Sequence, residues 1–93
     1  SGQLAPRCSA PETVDTVLQI AHGLHVVSVI AQMPGSEITV EHVVTTRTDK
    51  DTGMHFCQAS FVMRTALGAE ARSIEYTSAI GDDGSPVVRV YGL

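Results

Sequence analysis

The chain reads as a small α+β protein: one N-terminal helix packed on a four-stranded antiparallel meander sheet, stapled by one disulfide. Three observations point there. Apolar residues recur at helical spacing only in the N-terminal third of the 93 residues. From Ser36 onward they alternate with polar ones in stretches separated by turn signals. The only two cysteines, Cys8 and Cys57, lie just before the helix and inside the second alternating stretch.

Residues 1–7 have no periodicity and are expected to form a flexible lead-in, with a single domain over 8–93. Ser9 and Glu12 fit a capping box, and Pro11 falls in the first turn, where no intrahelical N–H is required. Asp15 suits the positive helix start. Val14, Val17, Leu18, Ala21, Leu24 and Ser28 form one stripe at 3–4 spacing. The pattern is firm to His22 and weakens past Gly23, where Val26, Val27, Val29 and Ile30 are β-branched. Leu24 to Ile30 would also suit a buried strand. A continuous helix to about Met33 is favoured, because the later strands already supply a sheet. Pro34-Gly35 ends the element in either case.

Ser36 to Thr48 alternates, with Ile38, Val40, His42 and Val44 on one face and Thr39, Glu41, Val43 and Thr45 on the other. Thr48 to Gly53 is a polar hairpin loop. The second strand, His55 to about Leu67, turns Cys57, Ala59, Phe61 and Met63 toward the core. Gln58, Ser60 and Arg64 face out, with Phe56 and Val62 as apolar exceptions. Gly68-Ala69-Glu70 is expected to turn the chain. Arg72 to Ile80 then points Ile74, Tyr76, Ser78 and Ile80 inward. Gly81-Asp82-Asp83-Gly84 is a strong turn, and Pro86 opens a last strand to Tyr91, suited to a sheet edge.

Composition narrows the function classes. The formal net charge is −4, with one lysine, Lys50, and five scattered arginines, which argues against a nucleic-acid or acidic-lipid partner. No run of 18 apolar residues exists to span a bilayer. No signal-peptide pattern lies in these residues, which is compatible with a signal or lipid-anchor segment in a precursor. Only Phe56, Phe61, Tyr76 and Tyr91 are aromatic, so the core is aliphatic and thin, and a covalent staple is correspondingly useful. A Cys8–Cys57 bond would close a loop worth roughly 4 kcal/mol in chain entropy. Such a bond implies an oxidising compartment.

The features Cys8 before the helix, Asp49 to Gly53 leading to Cys57-Gln58-Ala59, Ile74-Glu75-Tyr76-Thr77, and Asp82 to Ser85 before Val87 to Val90 resemble small exported domains of bacterial envelope proteins and lipoproteins. The resemblance covers residues 8–92. It implies an envelope location and a non-catalytic role. The helix-on-sheet layout is also similar to that of cystatin-like inhibitors, but the loop Asp49 to Gly53 lacks their Gln-Val-Val-Ala-Gly motif.

Several clusters carry potential chemistry. His22 and His25, three apart on one helix, would share a face and hold a metal with His42 or His55. The zinc-protease glutamate is missing, and half-exposed helix histidines are the simpler reading. Cys57 with His55 two residues away would make a nucleophile pair, unless Cys8 claims the sulfur. Asp49 with Asp51, and Asp82 with Asp83, read as turn chemistry rather than acid–base or calcium sites. No cofactor motif is present. Val26, Val27, Val29 and Ile30 put apolar residues on more sides of the late helix than one sheet covers, and Phe56 and Val62 point away from the core. Together these six residues are the expected protein-binding surface, for another protein or a second copy of this chain. The expectation is therefore an exported, non-enzymatic binding domain of the cell envelope, of accessory, immunity, inhibitor or exclusion-type lipoprotein kind. A small metal-binding or hydrolytic protein using His22, His25 and His55 is the competing expectation.

Overall fold

A computed structural model describes residues 5–93. The element order is α1 (Pro11–His22), α2 (His25–Ala31), β1 (Glu37–Thr48), β2 (His55–Thr65), β3 (Gly68–Ile80) and β4 (Pro86–Tyr91). The four strands form one antiparallel sheet in the order β1-β2-β3-β4, a meander. Both helices lie on one face of it. The α+β class and the Cys8–Cys57 disulfide stand as the sequence suggests. Part of the expected lead-in, residues 1–4, lies outside the described residues. Ala5 is buried, and the Pro6 carbonyl accepts a 2.8 Å hydrogen bond from the Ser78 hydroxyl.

The helical stretch differs from the expected single helix. Helix α1 begins one residue later than the capping box proposes. Proline pushes the residue before it into extended geometry, so Ala10 (φ −60°, ψ 138°) is the N-cap, Pro11 is the first helical residue, and no side chain caps the end. Ser9 is thus one position too early. At the other end the chain leaves the helix at Leu24 (φ −83°, ψ 135°) and restarts as α2, bent by 102°. The Gly23 and Leu24 N–H groups close α1 on the Ile20 and Ala21 carbonyls. Neither helix alone is long and apolar enough to cross a membrane.

The core lies between α1 and the middle of the sheet. It joins Val17 and Ala21 of α1, Val27 of α2, Cys57, Ala59, Phe61 and Met63 of β2, and Ile74 and Tyr76 of β3. The period-2 reading holds here for Cys57, Ala59, Phe61 and Met63 of β2 and for Ile74, Tyr76 and the buried Ser78 of β3, whereas Ile80, expected inward, is only half-buried and lies outside the core. Strand β3, however, begins at Gly68 directly after a tight turn through Ala66 and Leu67, so Gly68 to Glu70 pair with Thr65 to Met63 rather than turning the chain.

Strand β1 departs most from the alternating pattern. His42 adopts φ 56°, the left-handed region, and the register slips by one residue between Glu41 and Val44 and again between Thr45 and Arg47. These are β-bulges, each adding one residue to β1. The extra residue swaps the faces, so Val43 packs on the core while His42 and Val44 are exposed.

Candidate functional site

The sheet has one face under the helices and one open. Alternation from the core residues places Phe56, Gln58, Ser60 and Val62 of β2, Glu75 and Thr77 of β3, and Val87, Arg89 and Tyr91 of β4 on the open face. The strand registers assemble these into rows. One row runs Arg47–Phe56–Thr77–Arg89 across all four strands, and its neighbour runs Val44–Gln58–Glu75–Tyr91.

These rows line two adjoining grooves. The first, about 420 Å³, is bounded by Thr46, Phe56, Gln58, Glu75, Thr77 and Tyr91. The second, about 560 Å³, shares Phe56, Thr77 and Tyr91 and continues to Met54, Val87 and Arg89. Two of the four aromatic side chains thus stand on the open face, and the other two, Phe61 and Tyr76, are core. The Arg47 guanidinium lies 4.2 Å from the centre of the Phe56 ring, a cation–π contact. Arg47 and Arg89 have no carboxylate partner among the described residues, whereas Arg64 pairs with Glu41 and Arg72 with Glu70. The wall of the groove is therefore aromatic and arginine-bearing, with Glu75 and Gln58 as its polar floor.

Further along the open face, Arg64 donates to Glu41 Oε2 at 2.7 Å and approaches Thr39. The Arg64 hydrogen bond, backed by one from Thr39, holds the Glu41 carboxyl down to about 2. Val62 lies opposite Thr39 and two residues from Arg64 on that face. Val62 is 7% exposed and is no part of an exposed surface, contrary to the pattern reading.

The other expected contact residues divide. Val27 is 4% exposed and belongs to the core, and Ile30 packs against it. Val26 and Val29 of α2 are 66% and 45% exposed, on the helix side of the sheet. Phe56 stands on the opposite side. The six residues therefore do not form one surface: two are exposed on α2, Phe56 lines the open-face groove, and three are buried or packed on the core. Tyr91 was missed by sequence reasoning. Its signal was available, since in β4 the inward valines Val88 and Val90 leave Tyr91 pointing out.

The histidines are dispersed. The helix break at Leu24 separates His22 from His25, so they do not share one helical face. His22 Nδ1 contacts the Leu18 carbonyl at 2.7 Å, and His55 Nδ1 contacts the Thr48 hydroxyl at 2.9 Å. Among the described residues no group of three or more His, Cys, Asp or Glu is placed to hold a metal ion. Cys57 is bonded to Cys8 and carries no thiolate, so a Cys57–His55 nucleophile pair does not exist in this state. Asp49 and Asp83 do what turn aspartates do: Asp49 Oδ1 accepts from the Asp51 N–H, and Asp83 Oδ1 from the Ser85 N–H. No protein-family model, curated protein or solved structure matches the chain.

Proposed function

We propose that this chain is an exported, non-enzymatic protein-binding domain of the bacterial cell envelope that engages its partner through the open face of the sheet. The observation that carries this reading is the pairing of Phe56 and Tyr91 in one groove, with Arg89 lining its continuation and Arg47 over the Phe56 ring. Aromatic residues and arginine are the side chains most enriched at the buried centres of protein interfaces. A small domain with four aromatics that spends two of them on an open face exposes area that a partner would bury. The disulfide supports a periplasmic, envelope or secreted location, where such bonds persist.

Accessory, immunity, inhibitor and exclusion-type roles all fit this surface. The test is site-specific photocrosslinking in envelope extracts, with a photoreactive side chain at Phe56 or Gln58 and, as control, at the exposed Gln19 of α1. The expected result is one discrete heterologous adduct from the sheet positions, lost when Arg47 and Arg89 are replaced by alanine. Adducts from Gln19 alone, or none from the sheet positions, would overturn the reading.

A further inference from the structure

Strand β4 ends the sheet, and no strand among the described residues lies beyond it. The backbone groups it offers there follow from its hairpin. The Gly81 N–H donates to the Ser85 carbonyl at 2.8 Å, and the Gly84 N–H to the Gly81 carbonyl at 2.9 Å, with Gly84 at φ 84°. This is a three-residue hairpin closed by a glycine in the left-handed region. Hydrogen-bonded pairs then recur at every second residue of the antiparallel ladder, at Ala79–Val87, Thr77–Arg89 and Glu75–Tyr91. Val87, Arg89 and Tyr91 turn their N–H and C=O groups toward β3. Pro86, Val88 and Val90 turn theirs to the free edge, and Pro86 has no N–H to offer.

The two edges of the sheet are not alike. The β1 edge is interrupted by two bulges and by His42 at φ 56°, a common way of blocking strand addition. The β4 register is unbroken from Pro86 to Tyr91. Its one charged residue, Arg89, stands on the open face and leaves the edge itself clear.

We propose that two copies of this chain pair antiparallel along β4, about a two-fold axis at Val88, to form one eight-stranded sheet. The edge is complementary to itself in this register. Each Val88 N–H meets the partner copy's Val88 carbonyl, and each Val90 N–H meets a Pro86 carbonyl, so every outward donor finds an acceptor. On the helix side Val88 adjoins Val88 and Pro86 adjoins Val90. On the open side Val87 adjoins the stem of Arg89, and no like charges are directly opposed. The neighbouring registers are poorer. Centring on Arg89 opposes the two arginines directly, centring on Val87 sets Val88 against Pro86 and Val90 against the turn residue Gly84, and centring on Pro86 places two residues without N–H groups opposite each other. Centring on Val90 requires Gly92, at φ 93°, to lie in a strand. The two open faces then lie on the same side and merge, with the Phe56–Tyr91 grooves on either side of the axis. This inference rests on the sheet edge and is independent of the groove's partner.

The test combines light scattering across a concentration series with amide hydrogen exchange and one variant. The wild-type chain is expected to approach twice its 9.8 kDa mass at millimolar concentration. The Val88 and Val90 amides are expected to exchange fast when dilute and slowly when concentrated, while Val87, Arg89 and Tyr91 stay protected throughout. Val88→Pro removes an outward N–H and no intrachain ladder bond, a position where an edge strand tolerates proline; it is expected to be folded and monomeric. If that variant does not fold, the wild-type exchange pattern decides alone. A wild-type chain that stays monomeric at millimolar concentration, a dimer whose Val88 and Val90 amides exchange freely, or a folded Val88→Pro dimer would each overturn the proposal. Slow exchange at both amides in a dilute monomer would overturn it too, since the edge would then be covered by something other than a second copy.

Discussion

The Tyr76 hydroxyl donates a 2.6 Å hydrogen bond to the Cys8 carbonyl, across 68 residues of sequence. Tyr76 is the β3 neighbour of Cys57, which is disulfide-bonded to Cys8. One residue at the start of the helical segment is therefore fastened to two adjacent central strands, covalently to β2 and by a buried hydrogen bond to β3. The Ser78 bond to the Pro6 carbonyl extends the same seam.

Replacing Tyr76 by phenylalanine keeps the packing and leaves the Cys8 carbonyl unpaired. The expected loss is about 1–2 kcal/mol, measured by denaturant unfolding. Burial also raises the Tyr76 phenol above its ordinary 10.0. A pKa raised by folding contributes stability that is complete below the unfolded value and lost as pH rises through the folded one. Wild-type stability should accordingly fall above pH 10.0, and the fall should be shallower in Tyr76→Phe. Equal slopes would show that Tyr76 ionises without hindrance.

The staple itself contributes more than this hydrogen bond. Cys57→Ser opens a loop of sequence separation 49, worth roughly 4 kcal/mol in the chain-entropy account. At about 4–8 °C per kcal/mol for a domain this size, the melting temperature should drop by well over ~10 °C. A drop of a degree or two, read by calorimetry, would contradict a stabilising role for the bond.

Thr13 carries the one buried side-chain oxygen without a partner among the described residues. An unpaired buried hydroxyl costs free energy that an apolar group of the same shape does not. Thr13→Val is expected to stabilise the protein by about 1 kcal/mol, measured as a shift of the unfolding midpoint at unchanged slope. A destabilised variant would mean that the hydroxyl is satisfied in solution.

His42 tests the bulge. A left-handed conformation costs an L-residue roughly 1–2 kcal/mol, and a β-branched residue more. His42→Val should therefore destabilise by at least ~1 kcal/mol, whereas His42→Gly, which adopts positive φ freely, should lose nothing. If valine were tolerated as well as glycine, β1 would have to run without the bulge.

Much of the architecture was legible because the sheet obeys one rule. Strands β2 and β3 alternate without interruption, so Cys57, Ala59, Phe61, Ile74 and Tyr76 could be assigned to the core from spacing alone. The loops Asp49 to Gly53 and Gly81 to Gly84 announced themselves through turn residues. The β1 bulge could not be read, because Val43 and Val44 are adjacent and either fits the inward face; only the register with β2 decides between them. The break at Leu24 left a faint trace at Gly23, but its 102° bend is a tertiary matter, set by where Val27 and Ile30 find the sheet. Val62 looked exposed because alternation assigns a side chain to a face of the sheet and says nothing of how far that face is covered. Of the groove, Phe56 was visible as an outward aromatic. Tyr91 shares the outward parity of Arg89 in β4, which the sequence offered; that it meets Phe56 in one groove depends on the register that sets Tyr91 against Glu75.

The Cys8–Cys57 staple on which this account rests is tested most directly by one mass measurement. The chain is recovered from its native cells, alkylated under denaturing conditions before and after reduction, and weighed intact. No alkylation is expected until reductant is added, and two alkylated sites afterwards, at Cys8 and Cys57. Both thiols reacting at once, without reductant, would contradict this and return Cys57, with His55 two residues away, to consideration as a reactive pair.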